Sequence, residues 1–294
     1  MNRDEIQQRI RHLHLERLAE EIDRRMLPGI RLQAQVVSGD VLPLGSSKLG
    51  GQPDLPPGID WPVWKGTPLA FLGQFRLPEL SEFDVDGSLP GDGLLYFFYE
   101  AESQPWGGVP DDRGGWQVFY HTGSADALYR HNLPTTLPQY SQLAPHHIGY
   151  EVVVTVPDLD VIEQEAGLSE DEVTEYFRLE SEANKYTHQL LGHPASIQGP
   201  MHLWCELCSG GHSFDEVLGP DSRLTPAGKE LQSVAFQNWR LLLRLDALQT
   251  TSFSIKGKPL RQDWALGGLI YFWIRGDALA RCDFSNVWFQ LQTT

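Results

Sequence analysis

Three short words decide the fold reading: SKLGGQP at Ser47–Pro53, PLAFLGQFRL at Pro68–Leu77 and DGLLYFFY at Asp92–Tyr99. They return in the same order as HQLLGHP at His188–Pro194, WRLLLRLDA at Trp239–Ala247 and GGLIYFWI at Gly267–Ile274. Pairing Pro53 with Pro194, Gln74 with Arg244 and Gly93 with Gly268 gives offsets of 141, 170 and 175 residues. The order holds while the offset grows, as expected for a duplicated unit whose second copy carries longer insertions. In LLYFFY, Leu94, Tyr96 and Phe98 point one way and Leu95, Phe97 and Tyr99 the other. Both faces are apolar, so the word reads as a central strand covered on both sides, and LIYFWI has the same character.

Working outward, Ile6, Ile10, Leu13, Leu18, Ile22 and Met26 form a helical stripe with a side step at Leu15. Asn2 and Glu5 have capping-box spacing, and Leu27-Pro28-Gly29 ends the helix, which is expected to pack on the body of its own domain. Strands are predicted at Arg31–Ser38, Leu69–Leu77, Gly93–Tyr99, Trp116–Thr122 and Ile148–Val156. In the second half they are predicted at Met201–Cys208, Trp239–Asp246, Phe253–Lys256, Gly268–Ile274 and Asn286–Gln292, with a helix over Pro226–Asn238. Trp61 and Trp64 read as a lid packed down on the sheet, and Glu100–Gly115, rich in Gly and Pro, as a mobile flap. Between Asp158 and Glu182 lie ten carboxylates against one base, Arg178, on a helical stretch capped by Ser169 and Glu172.

The fold class this implies is α+β and β-rich, with antiparallel or mixed sheets in two pseudo-symmetric halves. The parts are an N-terminal helix (1–29), a first half (30–156), an acidic helical connector (157–187) and a second half (188–294), joined in one unit. At 294 residues and 41% hydrophobic content the chain supports a large core. Its net charge of −16 argues against nucleic-acid binding, which needs bases to neutralise phosphates, and against an anionic membrane. Three cysteines, a charged N-terminus and no apolar stretch of spanning length point to a reduced, cytoplasmic, soluble setting.

The chemistry is less explicit. His202, Cys205, Cys208 and His212 are the right types for zinc. On a strand, however, Cys205 would face away from His202 and Cys208, and Glu206-Leu207 has no turn signal, so no metal site is expected. His146 and His147 are adjacent and diverge, and no nucleophile elbow, P-loop or dinucleotide fingerprint appears, so no cofactor is expected. Whether the protein is an enzyme stays open. The more specific polar set is Gln74 and Arg76 on one repeated strand, and Arg244 and Asp246 on the other, with His188 and His193 beside them. If the halves face one another, these groups meet in the cleft between them. There they would either bind a polar or anionic ligand or form an Arg76–Asp246 ion pair that sets the halves in register.

Taken together, SKLGGQPDLPPGIDWPVWKGTPLAFLGQFRLPEL, HQLLGHPASIQGPM, WRLLLRLDAL, GGLIYFWI and FSNVWFQLQ resemble the YwqG-like family of bacterial proteins, a domain of unknown function, from Ile30 to Gln292. The resemblance implies a β-rich, internally duplicated α+β fold and supplies no catalytic residues. Arg244 stands where that family's pattern carries Gln. It also implies a protein-binding role of immunity type, and the run of carboxylates from Asp158 to Glu182 reads either as a solvated face or as the surface that meets a basic protein partner. The alternative is a small-molecule binder or hydrolase that uses the cleft between the repeats.

Overall fold

The computed structural model describes residues 1–37, 42–185, 188–199, 201–220, 223–246, 254–255, 258–259 and 268–293. The capping box forms as its spacing predicts: the Glu5 amide donates to Asn2 Oδ1 at 2.9 Å and the Asn2 amide to Glu5 Oε2 at 2.8 Å. Helix α1 (Arg3–His12) follows, but the stripe does not continue as one helix. Leu13 and Leu15 are both buried, and no single helical face holds both, so the chain breaks at His14 (φ 56°). It resumes through a 3-10 turn into α2 (Ala19–Arg25). These helices bury Ile6, Ile10, Leu18 and Ile22 against Tyr176 and Leu179 of the acidic connector, so they pack on their own domain. The connector itself is α3 (Leu159–Ala166) and α4 (Glu170–Ala183).

Leu27-Pro28-Gly29 opens a strand as well as ending a helix: β1 runs Leu27–Val36, earlier than the predicted Arg31 start. The strands that follow are β2 (Lys48–Leu49), β3 (Ala70–Arg76), β4 (Leu94–Tyr99), β5 (Trp116–His121) and β6 (His146–Thr155). Then come β7 (Gln189–Leu191), β8 (Trp239–Asp246), β9 (Leu269–Arg275) and β10 (Trp288–Gln292). All ten join one sheet in the order β10-β9-β8-β7-β1-β6-β2-β3-β4-β5, and every neighbouring pair is antiparallel. The longest register is at its middle, β1 on β6 from Leu27↔Thr155 to Val36↔His146. The class is therefore mixed α+β, rich in antiparallel strand, with seven α-helices among the described residues.

The sheet curls until its edges nearly meet. Across the seam Trp116 of β5 donates from Nε1 to Val287 O at 2.9 Å, and its ring lies 4.9 Å from that of Trp288. Inside, Phe97 and Phe272 approach to 5.1 Å, and Phe289 stacks on Tyr99 at 4.5 Å. The other face of β4 packs Tyr96 and Phe98 with Phe71, Leu55 and the lid residue Trp61, so this strand is covered on both sides as its two apolar faces require.

Two predicted elements are corrected. Met201–Ser209 is a helix, α5, not a strand. The run MHLWCELC is apolar on nearly every side because α5 lies against α6 (Pro226–Asn238), β8 and β10, and a short continuous apolar run has no period to separate helix from strand. The Glu100–Gly115 segment is pinned, not a free flap. Gly107 O accepts from Trp288 Nε1 at 3.0 Å and from Gln290 Nε2 at 2.7 Å, while Leu291 donates its amide to Trp106 O at 3.0 Å. The segment thus closes the seam. The predicted Phe253–Lys256 strand is seen as Ser254–Ile255 paired with Lys258–Pro259; Phe253 and Lys256 lie outside the described residues. Among the described residues no helix is long and apolar enough to cross a membrane.

At Gly107 (φ 72°) an added Cβ would sit 1.8 Å from Phe289 O, whereas at Gly87 (φ 59°) it would meet nothing within 4 Å. Gly107→Ala is therefore expected to cost at least about 2 kcal/mol, and Gly87→Ala only about 1 kcal/mol from left-handed strain. Urea denaturation of the two variants checks the contrast.

Candidate functional site

The six polar residues singled out by the repeated words do not meet in one cleft. Gln74 on β3 and Arg244 on β8 are both buried, but four strands separate them, and Phe97 of β4 and Phe272 of β9 meet inside the curled sheet. Arg76 ends β3, is exposed and makes no ion pair among the described residues, so the Arg76–Asp246 registration pair is not formed. Arg244, Asp246, His188 and His193 do gather on one side. Two separate polar knots result.

The first knot is centred on Asp54, fully buried under the loop after β2. Its Oδ2 takes Lys48 Nζ at 2.7 Å, Gln74 Nε2 at 3.0 Å and the Gly45 amide at 3.0 Å, and its Oδ1 takes Arg130 Nε at 2.8 Å. Gln74 also accepts the Asp54 amide at 2.8 Å, and Tyr96 donates its hydroxyl to Asp54 O at 2.7 Å. Burial alone would raise the Asp54 pKa, but hydrogen bonds from Arg130 and Lys48 hold it below the ordinary carboxylate range. Sequence reasoning named Gln74 for the site and did not name Lys48, Asp54 or Arg130. The available signal was Lys48, a charge between Ser47 and Leu49 beside the GGQPD word.

The second knot surrounds Arg244. Its Nη1 donates to Pro194 O at 2.6 Å, and its Nη2 donates to Asn184 O and Gln189 Oε1, both at 3.3 Å; Nε is buried without a partner. Tyr271 donates its hydroxyl to Ala195 O at 3.3 Å. Asp158, which accepts from Ser196 Oγ, adjoins Glu180, and Glu180 Oε2 accepts the Leu159 amide at 3.2 Å. Burial and mutual repulsion push both carboxyls upward, so the pair keeps a proton near neutrality. The Arg244 pKa is lowered by burial.

The histidines are tied to the backbone. His188 Nδ1 accepts the Asp246 amide at 3.1 Å, and His193 Nε2 donates to Arg25 O at 2.7 Å. Burial lowers both to about 4 and His202, wedged between Phe236 and Trp273, to about 3, so all three are neutral in the fold. On helix α5, Cys205 and Cys208 are buried, and Cys208 Sγ donates to Gly108 O at 3.3 Å, while His212 is exposed against Glu216. Among the described residues no three His, Cys, Asp or Glu side chains are placed to hold a metal ion.

Open space lies at the periphery. One groove, of about 590 Å³, lies between α3 and the residues Phe214, Leu218 and Leu224, with Lys229 and Gln232 of α6 also lining it. A second, of about 460 Å³, lies where the start of β1, the Asp86–Ser88 loop, the turn after β7, the start of β8 and helix α7 (Gly276–Ala280) come together.

Fold and site define a mixed α+β protein built on one curled antiparallel sheet, with buried polar knots and shallow outer grooves. The model of a domain of unknown function, DUF1963, matches residues 47–293, and the chain belongs to that family. The match begins at the first repeated word and ends beyond β10, leaving β1 outside it. No curated protein matches the chain.

Two outcomes follow for stability. Lys48→Met removes one of the cations on a buried carboxylate and is expected to cost about 3 kcal/mol in chemical denaturation. The Asp158–Glu180 pair binds its proton more tightly folded than unfolded. Its contribution is therefore complete below the ordinary carboxyl range and lost as pH rises through the raised folded values. Wild-type stability should fall as pH is taken from about 6 to about 9, and Glu180→Gln should flatten that limb.

Proposed function

We propose that the protein is a non-catalytic binding module of the bacterial cytoplasm whose acidic connector receives a basic segment of a protein partner. One observation carries this reading. Of the ten carboxylates between Asp158 and Glu182, Glu172 is paired with Arg17, Glu175 with Arg178 and Glu182 with Arg9, while Asp158 and Glu180 are buried. Asp160, Glu163, Glu170 and Asp171 have no basic partner among the described residues. Asp160 and Glu163 stand on the wall of the larger groove, which also holds Phe214, Leu218 and Leu224, with Lys229 near them. Carboxylates beside apolar side chains suit the stem and head of an arginine or lysine. Attraction between opposite net charges speeds encounter, which is what a role of immunity type, the form favoured by the YwqG-like resemblance, requires.

The duplication belongs to the same proposal, with β1–β5 and β6–β10 as its two copies. Its support is a set of coincident registers. Lys48 stands opposite Gln74, and Gln189 opposite Arg244. The β3–β4 ladder skips Leu72 and the β8–β9 ladder skips Leu242. Gln74 faces Tyr96 and Arg244 faces Tyr271, and both tyrosine hydroxyls reach the residue after the shared proline. Gly51 and Gly192 have φ of 70° and 71°. On this reading β1 and β6 are counterparts that have changed places, since β1 lies beside β7 and β6 beside β2. The second copy then starts at β6, earlier than the expected start at residue 188.

The binding reading is tested by affinity capture with the wild-type chain and with Asp160→Lys/Glu163→Lys/Glu170→Lys/Asp171→Lys. A basic partner retained by the wild type, lost by the variant and weakened at least tenfold between about 50 and 500 mM salt is the expected result. Capture that ignores both the substitutions and the salt counts against it.

A further inference from the structure

The smaller groove carries one cation, Arg240, and one carboxylate, Asp86. Arg240, the second residue of β8, donates from Nη1 to Gln237 O and to Trp239 O, both at 2.9 Å. Those two carbonyls hold the guanidinium in place and leave Nε and Nη2 without a protein partner among the described residues. Arg240 is an exposed residue, and no carboxylate forms an ion pair with it among the described residues. The groove's walls are apolar, made by Leu27, Pro28, Leu241 and Leu279, and Asp86 stands on its lining from the loop opposite.

We propose that this groove binds a small monocarboxylate with an apolar body, its carboxylate on the free edge of Arg240 and its body against Leu27, Leu241 and Leu279. A planar fork with two unused donors matches a carboxylate in geometry and charge. The apolar walls select a ligand with a hydrocarbon body over a bare ion. One cation in a chain of net charge −16, with Asp86 close by, disfavours a doubly charged phosphate. The volume of about 460 Å³ accommodates a metabolite-sized molecule and excludes a folded partner. The site is independent of the acidic connector, which lies on other elements.

Calorimetric titration of the full chain with isocaproate, and with isocaproamide as its uncharged isostere, tests the proposal. Isocaproate is expected to bind with a Kd of about 0.1–1 mM and the amide at least tenfold more weakly. Arg240→Met should erase the difference between them. Asp86→Asn, at an exposed position that leaves the fold intact, should tighten isocaproate about twofold or more by removing a like charge. Equal affinity for acid and amide, isocaproate affinity unchanged in Arg240→Met, or no binding up to about 10 mM overturns the proposal. Should Arg240→Met fail to fold, Asp86→Asn decides alone, and an unchanged isocaproate affinity in that variant is equally fatal.

Discussion

The contact on which the rest of the structure depends is the meeting of Phe97 and Phe272, with ring centroids 5.1 Å apart. Each belongs to a strand whose six consecutive apolar residues leave no polar face, and each sends alternate rings into the curled interior. Phe289, Tyr99 and Trp116 extend that contact to the seam, where stacked and edge-on rings bring the ends of the sheet together. Aromatic pairs of this kind add about 0.5–1.5 kcal/mol each beyond the area they bury. A centre filled with rings has no room for a ligand. The two grooves lie on the outside, among loops and helices that differ between the two ends.

The polar knots answer a different need. Burying Lys48, Asp54, Gln74 and Arg130 together satisfies each charge with a partner, and removing any one leaves a desolvated group behind. At the other end Arg244 reaches three carbonyl or amide oxygens and no carboxylate in ion-pair contact among the described residues. Both knots clamp the loop that follows a short strand onto the longer strand beside it, β2 with β3 and β7 with β8. They are structural fastenings that differ in charge.

Much of this was legible in the sequence. Strict alternation and two-sided apolar words identified the strands at Leu69–Leu77, Gly93–Tyr99, Trp239–Asp246 and Gly268–Ile274. The helix predicted over Pro226–Asn238 forms with those bounds, capped by Thr225. What failed did so for physical reasons. MHLWCELC is apolar almost all round because three elements surround it, so its period carried no information. Glycine and proline in Glu100–Gly115 signalled irregular backbone, which was right, but irregular backbone can be fastened as firmly as a ladder. For the site, the sequence singled out Gln74 and Arg244, but which strands lie between them is set only by the fold. Arg240 was visible on the same strand, yet only the fold brings Asp86 and Leu27 to it.

β1 also bears on how this protein is made. Its neighbours, β6 and β7, begin only at His146 and Gln189. A strand destined for the middle of the sheet therefore has both edges unpaired until those distant segments reach it. Contacts of such long sequence separation slow folding, and unpaired apolar edges invite association with other chains. The charged helices ahead of β1 and the Arg31, Gln33 and Gln35 side chains along it supply the polar character that keeps a waiting strand apart from its neighbours. The same topology couples the two ends of the molecule, because neither set of outer strands has a complete inner border until the other has been made.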